Sequence, residues 1–368
     1  METAGRADST ASFGSARPLD ALLSLAPLFQ VDAFVKAAKA GKGLAGMLGL
    51  RKSPVAHPTP GSPGSAEFSL DDLMHFTSEP IPTSLVKMSG EHASRAVKMF
   101  AGILKYQGET GEALDEPQRL EIAQKLLHQG LKRPELKDEL YMQLLKQTRG
   151  NPDPAPTLKA WELFSVVAAT MPPSKDFLGL VSEYIHAVAH DEGQLQPVRQ
   201  LASRTWNSLK RSAKSGPRRT LPSTEELDAM FTGRKLATSV FFLDDTFEEL
   251  RYDVTTSVLE AVEQVAGIIG LQNYSTFTVF ECRTLAAGKA ELRADVPQEV
   301  EHALLDDNKY IADILCEAKS MRSSKEGYSS KLLFKKRMFR ETDESITEPM
   351  FINLSYVQAQ HDYLQVQY

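Results

Sequence analysis

The chain has 368 residues, with 42 Lys+Arg against 48 Asp+Glu and a formal net charge of −6, which argues against a whole-chain nucleic-acid binder. Hydrophobic residues make up 42% and charged residues 24%, an ordinary globular balance that allows two or three domains of roughly 100–200 residues each. Cys282 and Cys316 are the two cysteines, too few for a disulfide framework or a thiolate zinc site; a reducing, cytoplasmic compartment is expected, and no apolar run approaches the roughly 18 residues of a membrane span.

Charge is unevenly distributed. Residues 1–72 hold 7 basic and 7 acidic side chains, residues 73–220 hold 20 and 16, and residues 221–368 hold 15 and 25. A basic middle and an acidic C-terminal part predict separate modules with different partners.

In chain order, residues 1–67 read as a low-order tail ending in a Pro/Gly linker, SPVAHPTPGSPG at 53–64, which suits neither helix nor central strand. Within the tail, Lys36, Lys39, Lys42, Arg51 and Lys52 suggest a basic segment that lies on a membrane or in a partner's groove. Gly41, Gly43, Gly46 and Gly49 favour weak order instead. Residues 68–220 are helical throughout. Helices are expected near 92–107, 117–129 and 157–170, with one opening at Pro134 and stopping at Gly150-Asn151-Pro152. Another follows an N-cap at Ser174, with Phe177, Leu180, Val181, Tyr184, Ile185 and Val188 at helical spacing. A last helix buries Val198, Leu201, Ala202, Thr205, Trp206 and Leu209. Short connections make this an all-α bundle.

After Pro222 the period changes to two. Leu250, Tyr252 and Val254 alternate with Glu249, Arg251 and Asp253, in a hairpin turning at Asp244-Asp245. Ser257 and Glu260 form a capping box that opens a helix stopped by Gly270. TFTVFEC at 276–282, a short helix near 309–319 and KLLFKK at 331–336 complete the order strand, strand, helix, strand, short helix, strand. That order predicts an α+β, ubiquitin-like β-grasp lobe over 221–340. Residues 341–368 read as the start of a further helical lobe. Its Leu354, Val357, His361, Leu364 and Tyr368 fall on one helix face with no later sequence to cover it.

No nucleotide-phosphate loop, HExxH or GxSxG occurs, so no catalytic residues, cofactor or ATP hydrolysis are expected of this chain. Glu183, His186 and His190 have metal-ligand spacing, but they fall at roughly 180–240° on the helical wheel, away from the apolar arc that includes Phe177. The basic run is a stronger feature. From Gly193 to Thr224 there are Arg199, Arg204, Lys210, Arg211, Lys214, Arg218 and Arg219 and no acid. Arg199 through Lys214 occupy about 0–140° of one helix, opposite its apolar face. Such a field attracts a polyanion and weakens with salt. A merely solvated surface helix has the same pattern.

Specific strings carry a resemblance. EPIPTSLVKM (79–88), LKRPELKDELYMQLLKQTRGNPD (131–153) and KAWELFSVVAATMPPSKDFLGLVSEYIHAVAHD (159–191) resemble a myosin tail homology 4 domain. The stretch SLKRSAKSGPRRTLPSTEELDAMFTGRKL, followed by FFLDDTFEELRYDV, is similar to its junction with the first lobe of a FERM module. LDDNKYIADIL and LLFKKRMFRETDESITEPMFINLSYVQAQHDYL continue into a second lobe. The wording is closest to the kinesin-like calmodulin-binding proteins of plants and algae, which carry this tandem ahead of a C-terminal motor. The resemblance covers about residues 68–368. It implies a multi-domain cytoskeletal tail: a helical bundle, a ubiquitin-like lobe and a truncated second lobe, stopping before the motor.

That family attaches to microtubules through its myosin tail homology domain and to actin or membrane-linked partners through the FERM module. Tubulin's acidic surface would then be the polyanion. Charge placement selects Arg204, Lys210, Arg211, Lys214, Arg218 and Arg219 as filament contacts, with Lys132 and Arg133 as a secondary patch. Calmodulin and nucleic acid are not expected partners, and no metal is expected. The localisation implied is cytoplasmic and microtubule-associated. A cargo scaffold using the β-grasp lobe is the rival, as is part of an ATP-driven, minus-end-directed motor whose motor domain lies outside this chain.

Overall fold

The computed structural model describes residues 22–40, 68–285, 300–323 and 328–366; the Pro/Gly linker and the basic residues Lys42, Arg51 and Lys52 lie outside them. The longer described helices of the N-terminal half, which a single turn at Leu70–Leu73 accompanies, are α1 (Val31–Ala40), α2 (Gly90–Gln107), α3 (Glu116–Lys132), α4 (Pro134–Thr148), α5 (Pro154–Thr170), α6 (Lys175–His190), α7 (Gln196–Ser215) and α8 (Thr224–Thr232). Local chemistry sets their ends. Asp115 and Gln118 form a reciprocal capping box at α3, Pro134 opens α4, and Gly108, at φ 89°, closes α2 in the left-handed region that favours glycine.

Helix α4 runs through the middle of the bundle. Leu136, Leu140, Tyr141, Met142 and Leu144 are fully buried, and so are Glu139, Gln143 and Gln147. Glu139 and Gln147 serve the segment that crosses the bundle ahead of α2, and Gln143 donates to the Ala96 carbonyl within α2 at 2.9 Å. Glu139 accepts from the Leu85 N–H at 2.9 Å and the Val86 N–H at 2.8 Å. Lys146 donates to the Leu73 carbonyl at 2.7 Å and to that of His75, and Gln147 donates to the Thr77 carbonyl at 2.9 Å. Buried backbone outside helix or sheet needs such partners, and α4 supplies them.

The structure corrects the reading of residues 22–40 as tail. Leu22, Phe29, Phe34 and Ala38 are buried, the first three within the bundle core. Phe34 stacks on Phe68 at 5.9 Å, and Phe29 bridges to Val86. Four large or small apolar groups at helical and strand spacing are enough to dock this segment, despite its low helix propensity. The core also continues past residue 220, because Leu227 of α8 belongs to it.

Among the described residues the second half forms a five-stranded sheet with α9 (Val258–Ile269) on one face. Its strands are β1 (Leu236–Phe241), β2 (Phe247–Tyr252), β3 (Phe277–Leu285), β4 (Glu301–Leu304) and β5 (Tyr328–Lys336), in the order β2-β1-β5-β3-β4. Strands β1 and β5 pair in parallel and the other neighbours antiparallel, the β-grasp arrangement expected. Val258, Ala261, Val262, Val265 and Ala266 of α9 share a core with Leu250, Phe277, Val279, Leu332 and Phe334. The hairpin turns as predicted, with Asp245 at φ 62°. Strand β4 was not foreseen: at four residues with two exposed ends, it has too short a period to detect. Helix α10 (Ile311–Ser323) precedes β5.

The terminal helix, α11 (Pro349–Val366), also departs from expectation. The first part of its expected uncovered face, at Leu354, is covered by the lobe itself, while Leu364 of that face stays exposed. Phe351 is buried beside Phe277, Leu354 packs against the same core, and Gln358 exchanges two hydrogen bonds with the backbone of Lys336, at 2.8 and 3.1 Å. The exposed side carries Ile352, Tyr356, Tyr363 and Leu364; Tyr368 lies outside the described residues.

Candidate functional site

Helix α7 carries most of the predicted site. Its apolar face is Val198, Ala202, Thr205, Leu209 and Ser212, packed on α5 and α6. The Ser212 hydroxyl ties it to α5 by donating to the Ala168 carbonyl at 2.6 Å. The opposite, cationic face is divided between two environments. Lys210 and Lys214 are exposed, at about 20° and 60° on a wheel with Arg199 at 0°. Arg204 and Arg211, at about 140° and 120°, are half-buried; Arg211 reaches acids of the β-grasp lobe, and Arg204 lies within the charges of Asp253 and of Glu162 on α5.

Arg211 is an ion-pair residue at the seam. Its Nη2 lies 2.5 Å from Glu260 and its Nη1 3.4 Å from Asp253. Burial pushes its guanidinium pKa down, but Glu260 and Asp253 outweigh this and hold it above its ordinary value. At Arg204, burial lowers the pKa despite the opposing charges of Asp253 and Glu162. Arg218 is entirely enclosed. Its Nε lies 2.6 Å from Asp313 and its Nη2 3.1 Å from Glu226, with Tyr310 beneath the guanidinium at 5.9 Å. This corrects its assignment as a filament contact: its side chain has no exposure, and its charge is used to join bundle to lobe.

Arg219 is exposed; among the described residues only its backbone N–H is engaged, with Asp313 at 2.9 Å. Of the run from Arg204 to Arg219, Lys210, Lys214 and Arg219 are therefore the cations left exposed, and among the described residues they form no ion pair. Lys132 is exposed at the end of α3, and Arg133 donates to Gln129 at 3.1 Å. These two lie at the α3–α4 corner and share no hydrogen bond or ion pair with α7 among the described residues.

Beside Lys210 is an aromatic cluster that charge counting overlooked. Trp206 is half-buried rather than core. The Lys210 ammonium sits 5.4 Å from its ring centroid, and His186 meets the ring edge-on at 5.3 Å. His190 stacks on His186 at 4.1 Å, and its Nδ1 lies 2.8 Å from the His186 carbonyl oxygen. The i, i+4 histidine spacing thus serves ring stacking. Among the described residues no group of three or more His, Cys, Asp or Glu is placed to hold a metal ion. No described helix is long and apolar enough to cross a membrane.

The carboxylates that receive Arg211 and Arg218 also escaped sequence reading. Asp253, Glu260 and Asp313 lie 42, 49 and 95 positions from their arginines. Only Glu226, eight residues from Arg218, was within reach of local pattern.

Residues 123–229 match the MyTH4 domain family. The chain is 47% identical over 363 residues to the kinesin-like protein KIN-14I of Oryza sativa subsp. japonica, covering 97% of this chain and 28% of the relative. It is 46% identical over 354 residues to the kinesin-like protein KIN-14E of Arabidopsis thaliana, covering 94% and 28%. The chain thus spans less than a third of these curated relatives. Among solved structures, the MyTH4-FERM MF1 domain of Dictyostelium discoideum myosin VII (a mutant form) superposes with a TM-score of 0.63 at 21% identity, covering 80% of this chain and 57% of that one.

Proposed function

Since the chain carries a MyTH4 domain in a MyTH4-FERM fold, and is homologous to plant kinesin-like KIN-14 proteins over nearly its whole length, we propose that it is a non-catalytic cytoskeletal tail that binds microtubules. The contact surface is the outward part of the cationic helix and its extension: Lys210, Lys214 and Arg219. The observation that carries this reading is the partition of the basic run. Arg211 and Arg218 are consumed by carboxylates at the seam, whereas these three cations stay at the surface without ion pairs among the described residues. Lys132 and Arg133 form a second, weaker contact. Long-range attraction to an acidic filament is salt-sensitive, so co-sedimentation with microtubules across a salt series tests it. Charge reversal of the three outward cations releases the chain from the pellet.

The acidic half supports a second reading, in which the β-grasp lobe docks a partner protein. Residues 221–368 carry 25 acids against 15 bases, and this favours a basic partner.

A further inference from the structure

We propose that the open edge of β2 is a docking site for an extended basic segment of a partner protein, which adds to the sheet as another strand. The inference deepens the reading of the lobe as a docking module. It is independent of the cationic helix, so either can fail without the other.

The backbone comes first. The Phe242 N–H donates to the Thr246 carbonyl at 2.8 Å, closing the hairpin. From that pair the antiparallel ladder alternates between bonded and non-bonded partners. Glu248, Leu250 and Tyr252 therefore bond to β1, while the N–H and C=O groups of Phe247, Glu249 and Arg251 turn away from it. Among the described residues strand β2 is the last strand of the sheet on that side. Three residues with outward backbone pairs form a template for strand addition. The side chains agree: Leu250 and Tyr252 are buried, and Phe247, Glu249 and Arg251 are exposed.

Charge then selects the occupant. The hairpin and strand, DDTFEELR, hold Asp244, Asp245, Glu248 and Glu249 against Arg251; Arg251 lies on Glu249 at 3.2 Å and Lys331 on Asp245 at 3.3 Å, which leaves Asp244 and Glu248 without a cation partner among the described residues. A second copy of β2 pairing antiparallel about Glu249 would set that carboxylate directly against its own copy, which is destabilising. The charges that repel self-pairing attract a strand bearing lysine or arginine at alternate positions. Phe247, 58% exposed, offers an apolar contact to one side chain of that strand. The opposite edge, β4, is only four residues long and makes a poorer template.

The test uses the whole chain and a fluorescent seven-residue peptide of alternating lysine and valine, read by anisotropy. Saturable binding is expected, absent for the peptide with glutamate in place of lysine. Methylating one of the two alternate sets of peptide nitrogens weakens binding by about tenfold or more, since several hydrogen bonds are lost, and methylating the other set is tolerated. Glu249→Lys weakens binding similarly. Glu249→Pro removes an outward N–H while leaving the β1 bonds intact and also weakens binding, with the melting temperature reporting that the fold survives. Hydrogen exchange slows at Phe247, Glu249 and Arg251. No binding, equal binding of the acidic peptide, tolerance of both methylated sets, or protection elsewhere overturns the proposal. Unchanged microtubule pelleting of Glu249→Lys separates this edge from the filament face.

Discussion

The Nε of Arg218 lies 2.6 Å from Oδ1 of Asp313, 95 positions further along the chain, and neither side chain has more than 1% exposure. The same carboxylate accepts from the Arg219 N–H at 2.9 Å, the Thr220 N–H at 3.1 Å and the Thr220 hydroxyl at 2.6 Å. The guanidinium also donates to the Val254 carbonyl at 3.3 Å and to Glu226. A buried charge on the segment leaving the bundle is thereby matched, donor by donor, from α10, α8 and the turn after β2.

Removing one member of a buried ion pair leaves the other charge uncompensated, at a cost of about 3–5 kcal/mol. Arg218→Met therefore destabilises the chain by that order in urea unfolding, whereas Arg219→Ala, whose side chain is exposed, stays within about 0.5 kcal/mol. Equal effects of the two substitutions would contradict the assignment of Arg218 to the seam.

Asp253 makes the seam acid-sensitive. Burial raises its carboxyl pKa, but hydrogen bonding from Lys235, the charge of Arg211 and the Thr255 hydroxyl outweigh that and hold it well below the carboxylate range. A depressed folded-state value contributes stability that is present above the unfolded pKa of about 4 and lost as pH falls below it. Asp253→Asn lowers stability at neutral pH and flattens the decline below about pH 4, read from unfolding midpoints across that range.

Lys146 acts in an alkaline window. Burial pushes its ammonium pKa down to about 7, against about 10.4 in an unfolded chain. Between those values the unfolded state binds more protons, so stability rises with pH by up to about 1.4 kcal/mol per unit. Lys146→Met is less stable, because the carbonyls of Leu73 and His75 lose their donor, and it lacks this rise between pH 7 and 10. Glu139, pushed up to about 7 by burial against the N–H groups of Leu85, Val86 and Gln143, titrates below that window.

Phe34, with 1% exposure, tests whether residues 22–40 belong to the bundle. Truncating a buried phenylalanine costs about 3–5 kcal/mol, so Phe34→Ala lowers the thermal midpoint of the bundle by several degrees. A free tail would leave the midpoint unchanged.

Periodicity made the bundle and the β-grasp order legible, because Phe177 through Val188 and Leu250 through Val254 each bury one face in repeat. It failed at α4, where Glu139, Gln143 and Gln147 are as buried as the leucines, since they serve the backbone of another segment. It failed at β4 through shortness. The cationic run was visible as composition. Its division was not, because the acids that claim Arg211 and Arg218 are brought in by the lobe from dozens of residues away. Angular position on α7 held part of the answer: Arg211 at about 120° meets the seam acids, and Lys210 and Lys214 at about 20–60° do not.

The central claim is tested most directly by microtubule co-sedimentation of the chain at low and high salt, comparing Lys210→Glu/Lys214→Glu/Arg219→Glu with Lys132→Glu/Arg133→Glu. The account predicts pelleting at low salt that fades as salt rises, near-complete loss in the triple variant and a smaller loss in the double variant. Pelleting of the triple variant equal to that of the unaltered chain, or no pelleting of the unaltered chain at low salt, would contradict it.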